Sequence, residues 1–535
     1  MQTHFPSGGS GLGAGLVLAP FRGVRYDLSR VGGLANVTSP PYDVIGPGTL
    51  EGLRAASPYN VVRLILPEYA SGSTEAAAGN AGVTGAGLSD RAGAAVTSAA
   101  GTRATDGTGA AVTGPAEART ADSAGAAGAA ADSAGARATG QETRASDAAS
   151  AGAGTIDDGR LAEARTAGRV AATLLRDWLA AGALAVDAAP ALYVYEQRGA
   201  DWVQRGLIGL VAVGTDAVHP HENVMPGPVA GRRELMKATR SNLEPILLVY
   251  SGGAGAGHQA PASPDGARAL TASELTDRAA DSGAPLARAV TDDGVTHQLW
   301  AVTDPAAQQA IAADLATRTA LIADGHHRYA AYRELQSQMR EAGAGDGPWD
   351  YGLAFLVDAE AYPLHLGPIH RVLPRLGLAE AAGLAAGAFR VTEVHGDLDA
   401  ALRALEKASE SGHAFLLAGQ AGFRLLTDPD QRQLDAAMPA AASPRWRALD
   451  ASVMRELLFA RLWSIKDNER DVQISHNPAE AVRMAVSSHG TAVLCSPMPI
   501  AAVMELAAHG EKVPRKSTSF GPKPRTGLVL RTFEP

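Results

Sequence analysis

The sequence holds a single cysteine, Cys495, in 535 residues. One thiol excludes an intrachain disulfide, a thiolate zinc cluster and an iron–sulfur centre by counting, and it fits a reducing cytoplasm best. Aromatic residues are only 5% of the chain while glycine numbers 60, so part of this length cannot be packed core even though 46% of the residues are apolar. Basic charge is also in deficit. Lys and Arg total 47 against 56 Asp and Glu, a net charge of -9, which argues against nucleic acid as the main partner and leaves a phosphate-bearing small molecule open. No apolar run reaches the roughly 20 residues of a membrane span, and the first residues lack a basic region followed by an apolar stretch and a cleavage site. The chain is expected to work in the cytoplasm, away from membranes.

What is present divides into folded stretches and interruptions. Residues 70–156 are almost wholly Ala, Gly, Thr, Ser, Asp and Arg. Such a composition cannot offset an ordering entropy of roughly 1–2 kcal/mol per residue, so a disordered insertion is expected there. A second polar stretch, 251–285, reads as a flexible insertion carrying one poor helix. Around these, the patterns predict a helix from Pro47, a strand over Val61–Leu66, a helix from Asp157 towards Leu184, and a hairpin from "ALYVYEQR" and "RGLIGLVAVG" that turns near Gly199 and Asp201. Alternating helices and strands follow to the end. The fold class is therefore α/β or α+β. An N-terminal folded segment spans 1–69, a core 157–350, and a further α/β region 351–535.

Four stretches carry residues suited to chemistry. In "LIADGHHRYAAYREL" an apolar strand ends at Asp324 and a helix begins after Gly325. A helix start offers unpaired N–H groups and partial positive charge to an anion. Gly325 lets the backbone approach, and His326, His327 and Arg328 add donors, which suits phosphate better than a metal. The plainer alternative is that Asp324 caps the helix and the histidines lie on the surface. In "HPHENV", Glu222 is a candidate general base and His221 a donor to phosphate or carboxylate, against a solvated loop carboxylate. The basic loop "KVPRKSTSFGPKPRTGLVL" carries Lys512, Arg515, Lys516, Ser517, Thr518, Lys523 and Arg525, either as an anion clamp or as a solvated tail. "SPPYDVI" offers Tyr42 and Asp43, with Asp43 a ligand for magnesium, a partner for a substrate amine, or a cap on the next helix.

Read in order, "PPYDVI", "YVYEQ", "NLEPILLVY", "ADGHHRYAAY", "GPIHRVL", "SHNPAEAV" and "KSTSFGPKPRTGLV" resemble the bacterial and archaeal family called domain of unknown function 1015. Val229 stands where that family usually has a lysine, and Phe520 where it often has an aromatic. The order of "HPHENV", helix, "LEPILLVY" and "IADGHHRYAA" is similar, more distantly, to the ParB and sulfiredoxin fold, nearest to its free serine kinases. That resemblance implies a ParB/sulfiredoxin-like core with added N- and C-terminal α/β segments. It gives Gly325, His326, His327 and Arg328 to phosphate and Glu222 to the serine hydroxyl. Sulfiredoxin chemistry is ruled out because its reactive cysteine would fall at His326, and a ParB clamp is disfavoured because no helix-turn-helix follows. The expectation is a nucleotide-binding phosphotransferase acting on a small hydroxyl compound such as free L-serine. ATP, ADP or a similar phosphoryl donor would serve with magnesium, and Lys516, Ser517, Thr518 and Lys523 would assist at phosphate. The alternatives are a non-catalytic nucleotide or phosphometabolite sensor and a phosphate ester hydrolase.

Overall fold

A computed structural model describes residues 15–68, 158–252, 269–468 and 470–534, all within one compact unit. The insertion expected at 70–156 lies outside the described residues, as does 253–268 of the second polar stretch. The described part of that stretch includes a helix, Ala272–Asp281, opened by a capping box in which Thr271 and Glu274 satisfy each other's backbone N–H groups. Among the described residues no helix is long and apolar enough to cross a membrane.

The α/β expectation holds. Nine strands form one mixed sheet, in the order Val218–His219, Ala320–Asp324, Ile246–Tyr250, Tyr351–Asp358, Val203–Ala212, Leu192–Arg198, Thr296–Val302 and Ala287–Val290, with Leu18–Ala19 also paired to Val203–Ala212. Its central strands are apolar on both faces, and the two-residue period of a strand sends alternate side chains into two different cores. Tyr193, Tyr195, Leu247, Val249, Phe355 and Val357 enter one, together with Trp178 of the long Asp158–Ala180 helix. Leu192, Val194, Ile246, Leu248, Ala354 and Leu356 enter the other, with Tyr329, Tyr332 and Leu335 of the His326–Glu341 helix. The predicted hairpin is present, with Arg198 opposite Val203.

Two expectations need correction. The core does not end at residue 350. Tyr351–Asp358 pairs with both Val203–Ala212 and Ile246–Tyr250 in mid-sheet. Val61–Leu66 is not a strand but contains a helical turn, Val62–Ile65. The Asn60 side chain accepts from Val62 N at 2.9 Å and donates to the carbonyl of Asn36 at 2.8 Å, and Val61, Val62, Leu64 and Ile65 are all fully buried. Tertiary burial here overrides the β preference of a branched run.

A second sheet, antiparallel throughout, orders Arg390–Val394, Gly422–Thr427, Phe415–Gly419, Thr491–Leu494, His370–Leu373 and Gln473–Ser475. The helix Asp450–Val453 runs on into a wider, π-type stretch, Met454–Leu462. The chain then returns to the core beside the first sheet. Ser519–Gly521 pairs with His365–Gly367, and Leu528, Val529 and Leu530 join the core shared with Trp178.

One buried histidine of the large sheet makes stability depend on pH. His297 lies between the Tyr195 hydroxyl at 2.9 Å and the Thr291 hydroxyl at 3.2 Å. Burial, aided by Arg525, lowers its pKa from 6.5 to about 4. The unfolded chain therefore takes up a proton that the folded chain refuses, so stability is lost as pH falls from 6.5 towards 4, at about 1.4 kcal/mol per pH unit for this group. In H297Q that share disappears. Urea unfolding at pH 7.0 and pH 5.0 should find the wild type's advantage over H297Q smaller at pH 5.0; an equal gap at both would mean that His297 is not held neutral.

Candidate functional site

The turn between Ala320–Asp324 and the helix His326–Glu341 depends on Gly325, whose φ is 92°. This left-handed conformation suits glycine, and a Cβ there would also lie 2.8 Å from Ile246 Cγ2 and 3.1 Å from the Arg328 guanidinium. The space that glycine opens is thus filled by the chain's own Arg328. Its guanidinium donates to Asp324 Oδ2 at 2.5 Å and to the Pro245 carbonyl. Burial opposes the Arg328 charge, and Glu244, Asp324 and Asp43 overcome it and raise the pKa. His326 is buried, its pKa pushed well below the usual value by desolvation and then by His221. His327 is half-buried and accepts Met225 N–H at 3.1 Å; burial and Lys516 lower its pKa. Of the three potential cations in the sequence, only Arg328 is a cation at neutral pH, and it is engaged internally. Asp324 is not a side-chain cap.

The "HPHENV" loop ends where Pro226 opens the helix Pro226–Thr239. His221 is fully buried and shares a 2.9 Å hydrogen bond with the Thr518 hydroxyl, which donates to Glu222 Oε1 at 2.6 Å. The His221 ring meets His326 edge-on at 4.5 Å and Phe520 at 5.6 Å. Desolvation lowers the His221 pKa, against the pull of Glu222. Val229 lies on the buried face of the following helix and belongs to the core.

Asp43 sits in the short turn Tyr42–Val44 and does not cap the next helix, which starts from Gly46. Its Oδ2 lies 2.8 Å from Lys523 Nζ, which also reaches Asp324 Oδ1 at 2.6 Å. Burial works against the Lys523 charge, yet the two carboxylates hold its pKa above the ordinary value. Tyr42 donates its backbone N–H to Glu244 at 3.2 Å, and its ring lies under Arg232 at 4.1 Å. Ser517 turns into its own loop, donating to the Pro514 carbonyl at 2.7 Å. These donors do not form a metal cage. The carboxylates of Asp43 and Asp324 hold an ammonium, and among the described residues no three His, Cys, Asp or Glu side chains converge for a metal.

The opening beside these groups is a cleft of about 810 Å³. Glu222, Asn223, Val224, Met225 and His327 line one side, and Trp446, Arg455, Glu456 and Ser464–Asp467 the other, with Lys512–Lys516 between them. The structure therefore brings Glu222, His327 and Lys516 to one space. It places Asp324 and Arg328 in a buried ion pair that the part-buried Lys523 extends, Gly325 and His326 in the turn's packing, and Thr518 in hydrogen-bond contact with Glu222. Sequence reasoning assigned no role to Arg371, His476 or Lys466. Arg371 is 1% exposed and donates to the carbonyls of Arg515 at 3.1 Å and Lys516 at 2.8 Å. His476 has its pKa lowered by desolvation and by Lys523, Lys516 and Arg371, which places it beside the same loop. Both fall inside motifs quoted above, "GPIHRVL" and "SHNPAEAV", so their order in the sequence was the available signal. Lys466 lies outside any motif.

The ionic chain yields a stability prediction. Asp324 has a side chain only 8% exposed, and removing Lys523 leaves it with Arg328 alone among the described residues, so the cost is that of one lost charge-assisted hydrogen bond, about 2 kcal/mol. K523M should lose about that much in urea unfolding while K523R loses much less. A K523M protein as stable as wild type would show that Asp43 and Asp324 need no cation between them.

No curated protein matches the sequence. Among solved structures, a free serine kinase in complex with AMP is 16% identical, covering 57% of this chain and 84% of that one at a TM-score of 0.26. A conserved hypothetical protein from Pyrococcus furiosus is 16% identical over 59% and 90% at 0.27. SbnI with C-terminal truncation from Staphylococcus aureus is 12% identical over 61% and 87% at 0.30. Likenesses at these TM-scores carry no argument about fold or function. The family model described as "Protein of unknown function (DUF1015)" matches residues 18–84 and 155–452, which hold the DGHHR turn and the Glu222 loop and stop short of the loop that supplies Thr518 and Lys523. The chain belongs to this DUF1015 family.

Proposed function

We propose that the cleft binds a nucleotide and transfers its terminal phosphoryl group to the hydroxyl of a small molecule, with free L-serine the first candidate. The observation that carries this reading is the position of Glu222. Although 102 residues separate Met225 from His327, Glu222 shares one cleft with His327 and Lys516 and is joined through Thr518 to His221, which packs on His326. A base and a phosphate-holding group must meet at one reacting centre, and a cleft lined by Glu222, His327 and Lys516 supports that requirement. The motif likeness to free serine kinases supports the same assignment, and so does the likeness of the core's motif order to the ParB/sulfiredoxin fold.

In this reading Lys512, Arg515 and Lys516 hold the phosphates. Glu222 takes the proton of the acceptor hydroxyl as its oxygen bonds to the terminal phosphorus and the bond to the leaving phosphate oxygen breaks. Thr518 fixes the Glu222 carboxylate by its 2.6 Å hydrogen bond. Asp43, Asp324, Arg328 and Lys523 act behind the site as a rigid support. No step passes through magnesium, for which these residues offer no cage. A non-catalytic sensor is the second reading, favoured by one observation: Arg328 and Lys523, the cations nearest the turn, are already neutralised by Asp324 and Asp43.

Glu222→Gln should reduce substrate-dependent ADP formation by about 10²–10⁴-fold while leaving ATP affinity by calorimetry unchanged. Turnover at the wild-type rate would remove Glu222 as the base. ATP binding without phosphoryl transfer to serine or other small hydroxyl compounds, in the wild type, would favour the sensor.

A further inference from the structure

We infer that Lys516 and Lys466 form a paired-ammonium subsite for a polyphosphate chain, whether of a nucleoside triphosphate or of inorganic polyphosphate. The inference rests on the cleft being the phosphate site, but not on any transfer taking place there. Other cations of the cleft have partners within the chain. Arg455 lies 3.3 Å from Glu456, Arg515 lies 3.4 Å from Asp467, and Lys512 donates to Asn223 at 2.9 Å. Lys516 and Lys466 line the same space, and their ammonium groups have no hydrogen bond or ion pair among the described residues. Two unpaired ammonium groups facing one cleft repel each other, and an anion between them relieves that repulsion.

The backbone at Lys516 is the second, independent observation. Its φ is 53°, a left-handed conformation that costs a residue with a side chain and that glycine would adopt without strain. The conformation persists because Arg371 holds it from below. That guanidinium donates to the carbonyls of Ile369 at 2.7 Å, Arg515 at 3.1 Å and Lys516 at 2.8 Å, and it is a buried charge with no carboxylate among its hydrogen-bond partners. Burial of such a group is costly, and its structural effect is to set the strained turn that carries the Lys516 side chain. Lys516 in turn lies near enough to His327, Asp43 and His476 to shift their protonation, which places its charge at the junction between the "HPHENV" side and the C-terminal side. Arg371 is thus a positioning residue for Lys516. Lys466 supplies the facing charge from the loop that follows the Met454–Leu462 helix.

The test uses sodium tripolyphosphate, orthophosphate and ATP in calorimetric titrations of the full chain at low salt. Tripolyphosphate should bind more tightly than orthophosphate, and K516G and K466M should each weaken it about tenfold, the effect of one charge-assisted hydrogen bond. K516G keeps the backbone that position needs, so its melting temperature should be no lower than the wild type's while its affinity falls. R371K should weaken tripolyphosphate like K516G, and the R371K/K516G double variant should lose no more than K516G alone, because both act through one ammonium. If R371K fails to fold, K516G and K466M decide the matter. ATP binding tighter than tripolyphosphate supports the subsite with a nucleotide, and equal affinities support it with the polyphosphate chain alone. Wild-type affinity in both lysine variants, or no tripolyphosphate binding by the wild type, overturns the subsite. Tripolyphosphate binding through both lysines without phosphoryl transfer overturns only the phosphotransferase reading.

Discussion

The ionic chain Asp43–Lys523–Asp324–Arg328 links three parts of the protein that lie far apart in sequence. Asp43 and Lys523 are 480 residues apart in sequence and 2.8 Å apart in space. Asp324 ends a central strand, Arg328 belongs to the helix packed on it, and the Arg328 bond to the Pro245 carbonyl ties in the start of the neighbouring strand. Each charge lies next to opposite charge, which is the condition under which the buried members, Asp324 and Arg328, are tolerated. The chain therefore fixes where the N-terminal turn, the strand-to-helix turn and the C-terminal loop meet, and the cleft opens beside that meeting point.

The same chain changes the meaning of the DGHHR turn. A helix start preceded by glycine attracts an anion, but the space over this glycine is taken by Arg328, folded back and paired with Asp324. The two histidines cannot compensate, because burial keeps both neutral. In the proposed reading a phosphate meets its cations one layer out, at the lysines and arginine of the 512–516 loop, while the turn supplies rigidity and the His326 surface against which His221 packs. Phosphoryl transfer suits such an arrangement because it requires little covalent participation from the protein and much exact placement of charge.

Strands and helices were legible where one local pattern decided them. The period-2 runs of Leu192–Arg198 and Val203–Ala212 identify a hairpin, and its short turn leaves few alternatives. Val61–Leu66 misled because its branched residues favour a strand locally, whereas Asn60 and complete burial impose a helical turn. The boundary at residue 350 failed for a different reason: Tyr351–Asp358 is recognisable as a strand, but its place in mid-sheet depends on pairings 100 residues and more away. In the site, Asp324 and Arg328 are spaced i, i+4, so their pairing was open to a local reading. Thr518 with Glu222 was not, since 296 residues separate them, and no composition or periodicity encodes that contact. Arg371 reads as one more charged residue in a strand until the loop above it is seen.

The loop from Lys512 to Arg525 should accordingly be counted as part of the site and not as an appendage, even though it lies beyond the residues that the family model matches. It places Thr518 against the Glu222 carboxylate, Lys523 between Asp43 and Asp324, Phe520 against His221 and Lys516 in the cleft. A carboxylate in a solvated loop would rotate freely, and a base must be held within hydrogen-bond distance of the proton it removes. Among the described residues, Thr518 is the side-chain hydrogen-bond partner that gives Glu222 that fixity. The matched segments supply the proposed base and its sheet, and the C-terminal loop holds that carboxylate through the Thr518 hydrogen bond.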